Sequence, residues 1–145
     1  MLLVALVWVH VLAVIAWFGG SALMAFVVGP ALGAAGGEGR RATEMIATRS
    51  HRYYGIAGGL TILSGLLLAW AEGRFTSPLI WIVIVLAVFL AYWGARVTGK
   101  RADALARAGD AQRSAAVRQV IAAGTVELGL LAIAFTLMIL VRFGY

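Results

Sequence analysis

A chain of 145 residues that is 63% hydrophobic and 12% charged has too little polar surface to cover a soluble globule of its size, so it reads as a single-domain membrane protein. With no cysteine, disulfides, thiolate catalysis and thiolate metal sites are excluded. The net charge of +6 reads as a topology signal and an attraction to anionic lipid, not as a nucleic-acid site.

Four segments reach or approach the roughly 20 apolar residues that a helical span requires. They are residues 2–29, 53–71, 78–98 and 119–141, which predicts an all-α bundle of four transmembrane helices. The first lacks a positive leading region, and its apolar run from Leu2 to Val28 exceeds the roughly 7–15 residues of a signal-peptide core, so a retained helix is expected. Pro30 and Gly33-Ala-Ala-Gly-Gly are expected to close it. The second helix should begin near Glu38 or Arg41, because residues 42–52 favour helix but are too polar for lipid. Glu72-Gly73-Arg74 should end it, with Ser77 capping a third helix that has Pro78 at its first position. That helix is expected to run past the membrane through Lys100 to Arg107 and break at Gly109, where Asp110 caps the fourth.

Between the first two spans lie Arg40, Arg41, Arg49 and Arg52. Between the last two lie Arg96, Lys100, Arg101, Arg107, Arg113 and Arg118, whereas the opposite side has only Arg74 and Arg142. By the positive-inside rule both termini face outward from an inner (plasma) membrane and the basic loops face the cytoplasm. Thr61-Ile-Leu-Ser-Gly-Leu-Leu echoes Thr125-Val-Glu-Leu-Gly-Leu-Leu, which fits either an old duplication of a helix pair or chance in a Leu/Ala/Gly-rich alphabet. Gly55, Gly58, Gly59, Ser64 and Gly65 read as positions of close helix approach.

His10 is the ionisable group at membrane depth in the first span, followed at helical spacing by Trp17, Ser21 and Met24. Such groups are costly in lipid, which makes a functional role the default. A rise of about 1.5 Å per residue puts His10 roughly 10–15 Å from the outer surface and His51 about 20 Å further in. Two axial ligands of one iron lie only about 4 Å apart, given metal–imidazole bonds near 2 Å, so these two histidines should not share a haem. Three routes remain for His10: ligating a haem alone or with a non-His partner, pairing with the His10 of a second copy across a two-fold axis, or bonding only a carbonyl or hydroxyl. Arg74 and Arg142 are the cations on its side that can meet haem propionates. Glu127 lies about 12 Å inside the cytoplasmic face by the same rise. Ser21, Thr61 and Tyr92 fall at similar depth, so Glu127 is either a proton-relay group or a packing hydrogen bond. Trp8, Trp70, Trp81, Phe143 and Tyr145 are placed at the outer interface and Tyr53 and Tyr54 at the inner one. Trp17 and Trp93 lie deeper, where they pack or stack on a flat cofactor.

His10 with Trp17-Phe18-Gly19, then Glu44-Met45 ahead of Arg52-Tyr53, Thr61 and Gly65, resembles the small four-helix membrane proteins grouped around HemJ-type protoporphyrinogen oxidase and the related CopD-like domain. The resemblance is best over residues 5–70. It implies a haem b-binding bundle with His10 in the position of the first-helix ligand. The Lys and the His of the oxidase pattern in the third helix are absent here: residues Ile80 to Val83 are apolar, and Trp93 follows Tyr92. The expected function is a haem b redox protein, HemJ-like in oxidising a porphyrinogen-like or quinol-like substrate or relaying electrons, as a homo-oligomer or with a membrane redox partner. The cofactor site would comprise His10, Trp17, Ser21, Met24, Arg74 and Arg142, with His10 on the metal and Glu127 as the proton group. The alternatives are a copper-handling or other small transporter, for which four Met and no Cys supply few soft ligands, and a non-catalytic subunit of a larger membrane complex.

Overall fold

A computed structural model describes residues 1–34 and 40–143. Gly36, Gly37, Glu38 and Tyr145 lie outside the described residues, as do the side chains of Glu44, His51 and Asp110. The described chain is helical: α1 (Leu2–Leu23), a π-helical turn (Met24–Val28), α2 (Gly29–Ala34), α3 (Arg40–Ala71), a 3₁₀ turn (Arg74–Thr76), α4 (Pro78–Trp93), a second π-helical turn (Gly94–Thr98), α5 (Gly99–Arg107) and α6 (Asp110–Phe143). Four stretches are long and apolar enough to cross a membrane: Leu2–Ala31, Arg52–Ala71, Pro78–Arg107 and Ala111–Phe143. Both ends of the described chain therefore lie at one end of the bundle, with the two arginine-rich connections at the other.

The apolar spans form helices because a helix satisfies its own backbone hydrogen bonds within the segment, as hydrocarbon requires, even where Pro30 or the glycines of α3 lie inside one. α1 packs chiefly on α3 and α4 on α6, and contacts of α3 with α4 and of α1 with α6 close the ring. The centre is Trp17, Ala57, Leu90, Leu131 and Ala134. Outward faces carry Leu12, Ile15, Phe26, Ile56, Val85 and Ile133, all exposed, the inverse of a soluble bundle. At the basic end, Leu105, Val117 and Val120 form a second core where α5 packs on α6.

Helix ends follow local chemistry. Gly73 adopts φ +63°, the left-handed conformation that stops α3, and Ser77 sits at the N-cap of α4 with extended backbone and Pro78 behind it, making no side-chain cap bond. The start of α3 at Arg40 and the break between α5 and α6 at Ala108-Gly109 match expectation.

Pro30 does not close the first helix, which continues to Ala34. A proline inside an α-helix removes an N–H and collides with the carbonyl four residues back. Here the preceding turn is widened, the Gly29 N–H bonding the Met24 carbonyl five residues earlier, and the helix passes through the proline.

Because Gly73 holds a conformation costing an L-residue roughly 1–2 kcal/mol, Gly73→Val should lower the thermal unfolding midpoint in detergent. Thr76→Val at the neighbouring turn should leave the midpoint within experimental error.

Candidate functional site: two polar levels on one helix face

The buried side of α1 is a single stripe, His10, Ala13, Trp17 and Ser21, spaced to fall on one helical face. It carries polar chemistry at two levels, and each level opens on its own cavity.

At the terminal end, His10 is 7% exposed and lies against α3. Its Nδ1 is 3.1 Å from the Thr61 carbonyl oxygen and 3.0 Å from Ser64 Oγ. A carbonyl only accepts, so Nδ1 carries the proton and Nε2 keeps its lone pair, the arrangement by which a second partner fixes a ligating imidazole. The Ser64 hydroxyl is itself occupied by the carbonyls of Leu60 and Thr61. Gly65 makes the close approach possible, since a Cβ there would stand 3.0 Å from the imidazole Cε1.

His10 forms part of the wall of an open cavity of about 580 Å³ lined by all four spans, within the roughly 300–1,000 Å³ range of cofactor and ligand sites. Its walls are apolar, with Val7, Leu66, Ile84 and Phe135 among them, and Met138 brings a thioether. At its rim Glu72 lies between two cations: Arg74 Nε is 3.3 Å and Arg142 Nη1 3.8 Å from its carboxylate. Arg74 is further tied down by donating to the Val141 carbonyl at 2.9 Å.

At the basic end, Glu127 of α6 is 3% exposed and accepts three hydrogen bonds. Trp17 Nε1 and Ser21 Oγ donate to Oε1 at 3.3 and 3.2 Å, and Thr98 Oγ1 donates to Oε2 at 2.9 Å. Thr98 belongs to the second π-helical turn, whose Gly99 N–H bonds the Gly94 carbonyl. A smaller cavity of about 150 Å³ borders Glu127, and Met24, Ser50 and Tyr54 also contribute to its wall.

The residues expected to form one cofactor site therefore divide. His10, Arg74 and Arg142 share the large cavity, whereas Trp17, Ser21 and Met24 share the small one with Glu127. Two expected partners of Glu127 lie elsewhere. The Thr61 hydroxyl donates to the Ala57 carbonyl at 2.8 Å, and Tyr92 is 60% exposed on the outer surface of α4. Helical rise had matched both to Glu127, but Thr61 lies at the level of His10 and Tyr92 sits on an outward face of its helix. Trp93 packs on Phe89 and its buried Nε1 has no hydrogen-bond partner among the described residues. Glu72, Thr98 and Met138 were missed as site residues. The sequence signal for Glu72 was its place two residues before Arg74 at a helix end, while nothing in the sequence set Thr98 or Met138 apart from neighbouring span residues.

His10 and His51 belong to α1 and α3, and His10 meets α3 at Thr61 and Ser64. Those residues are ten or more positions along α3 from His51, about 15 Å by helical rise. Among the described residues no three His, Cys, Asp or Glu side chains converge as a metal-binding group.

The tautomer is open to direct measurement. In haem-free protein labelled with ¹⁵N and held at alkaline pH, the long-range proton–nitrogen correlation pattern of His10 should show protonated Nδ1 and bare Nε2. The reverse pattern would break the Thr61 assignment.

No protein-family model matches the chain, and neither the curated proteins nor the solved structures contain a match to it.

Proposed function

We propose that the chain is a haem b-binding integral membrane redox protein in which His10 ligates the iron. The observation that carries this reading is an imidazole whose Nδ1 is committed to the Thr61 carbonyl, on the wall of an apolar cavity of cofactor size. When bound, the haem supplies one-electron chemistry. The chain's own residues bind, orient and shield it. Thr61 and Ser64 set the imidazole plane through Nδ1, Arg74 and Arg142 offer positive charge to propionates at the rim, and the aliphatic walls exclude water. Met138, on the wall of the same cavity, would be available to hold the iron as a further ligand. Because His10 is buried within its own bundle, the single-chain route is favoured over pairing between two copies.

In this reading the protein oxidises a porphyrinogen-like or quinol-like substrate or relays electrons to a membrane partner, with Glu127 as the proton-accepting group on the basic side. Four Met and no Cys supply few soft ligands for a copper-handling role. The charge asymmetry supports an inner (plasma) membrane location with the arginine-rich connections in the cytoplasm.

Protein purified from haem-replete cells should show b-type bands in a reduced-minus-oxidised spectrum. His10→Ala should abolish them, and His51→Ala should leave them nearly unchanged. Arg74→Ala should retain the bands but weaken haem retention by about tenfold, the size of one lost charge-assisted contact of roughly 1.4 kcal/mol. Unaltered bands in His10→Ala would overturn the assignment.

The lack of cysteine makes sidedness simple to test. Single-cysteine Ser77→Cys should react with an impermeant maleimide added outside intact cells, and Ala111→Cys only after permeabilisation.

A further inference from the structure

The small cavity beside Glu127 has a size and a surround that specify a ligand. Its volume of about 150 Å³ equals that of protein cavities, about 150 Å³, that accept a benzene-sized ring. One six-membered ring fits, and a porphyrin does not. Gly55, Gly58 and Gly59 of α3 form one side, and Ala91, Gly94 and Ala95 of the third span form the other. With little more than backbone on both sides, the space between them is a slot.

The way in is from the bilayer. Gly55, Gly59 and Ala95 are the exposed members of that lining, all within membrane-spanning stretches, and a Cβ built on Gly55 or Gly59 would meet nothing within 4 Å. A ligand arriving sideways from lipid is itself lipid-soluble.

The polar group waiting inside is an acceptor. A carboxylate offers about four lone-pair positions. Among the described residues Trp17 and Ser21 donate to Oε1 and Thr98 alone donates to Oε2, so Oε2 is the oxygen with room for a further donor. A neutral ring bearing a hydroxyl satisfies all three conditions: size, route and donor.

We infer that this cavity binds the ring of a lipid-soluble phenol or hydroquinone, seated between α3 and the third span with its hydroxyl donating to Glu127. The choice of hydroquinone within that class rests on the redox reading above, whereas the site stands independently of what His10 binds.

The test uses the full chain in lipid nanodiscs under anaerobic conditions. It follows the Trp17 indole N–H signal, assigned by its loss in Trp17→Phe. Titration with trimethylhydroquinone should shift that signal saturably. Its dimethyl ether, which has no O–H, should bind about tenfold more weakly, as loss of one hydrogen bond to a carboxylate predicts. Gly59→Leu adds bulk at an exposed lining position where a Cβ meets nothing within 4 Å, and should abolish saturation while leaving the b-type haem spectrum intact. Haem-free and haem-loaded protein should bind the ring alike, so failure of the haem reading leaves this result standing. No saturable shift, an equal response to the ether, or unchanged binding in Gly59→Leu would overturn the proposal. Saturation by benzylammonium in place of the hydroquinone would overturn it in favour of an organic-cation site.

Discussion

The carboxylate of Glu127 is the group on which the basic half of the bundle depends. An acidic side chain at the centre of a span costs roughly 2.5–3.5 kcal/mol or more when nothing compensates it. Here compensation comes from Trp17 and Ser21 of α1 and from Thr98 of the third span. One side chain on α6 thereby fixes the relative positions of three spans. Hydrophobicity cannot do this, because lipid tails and Leu side chains are equally apolar and do not distinguish one helix rotation from another. Directional bonds to a single acceptor do distinguish them. The same acceptor would leave three donors without partners if it were removed, a larger penalty than the loss of any one bond.

The terminal half is organised by the same logic with weaker constraint. His10 bonds one carbonyl and one hydroxyl of α3 and leaves a large space between the four spans. Where Glu127 draws helices together around itself, His10 holds one contact and lets the bundle stand open. The cations Arg74 and Arg142 meet at the rim through Glu72, and Arg74 is also held by the Val141 carbonyl. The two halves thus differ in kind. One is a tight polar knot beside a ring-sized slot, and the other is a roomy apolar chamber with a charged lip. Trp17, in the middle of the α1 stripe, belongs to the knot and lies one or two turns from His10.

Much of this was written in the sequence. The four spans, the extension of α3 into polar sequence and the break at Gly109 follow from hydropathy and breakers. The oddity of His10 and Glu127 follows from the cost of ionisable groups in lipid. Depth was legible too, since helical rise is nearly constant, and it correctly separated His10 from the level of His51. Azimuth was not. Tyr92 faces elsewhere because a helix's rotation is set by its packing partners, and depth itself failed for Thr61, which lies at the level of His10, seven or more residues of α1 away from the level of Glu127. Thr98 was hidden for a related reason. Its direction depends on a widened turn that shifts helical phase, and no residue in Gly94–Thr98 announces such a turn. Pro30 was misread as a terminator because the rule assumes an α-helical turn ahead of it, and that turn is π.

The two widened turns bear on how such a chain tolerates length change. A π-helical turn holds one residue more than the α-helical turn it replaces, so each is in effect an insertion absorbed without breaking the helix. Both end on glycine, Gly29 and Gly99, and both lie in the half of the bundle that carries the arginines. A residue removed from Gly94–Thr98 itself would restore ordinary α-helical winding and leave the helix beyond in phase, whereas the α-helical winding of Pro78–Trp93 has no residue to spare, and a deletion there would turn everything beyond it by about 100°. Leu105 and Ala106 would swing off the face they now bury, and Thr98 would leave Glu127. Elsewhere in an exposed loop a one-residue deletion is absorbed locally. Outside the widened turn, the reading frame of this span is itself part of the site, and the chain can lose a residue there only by losing the alignment of its third span with the other three.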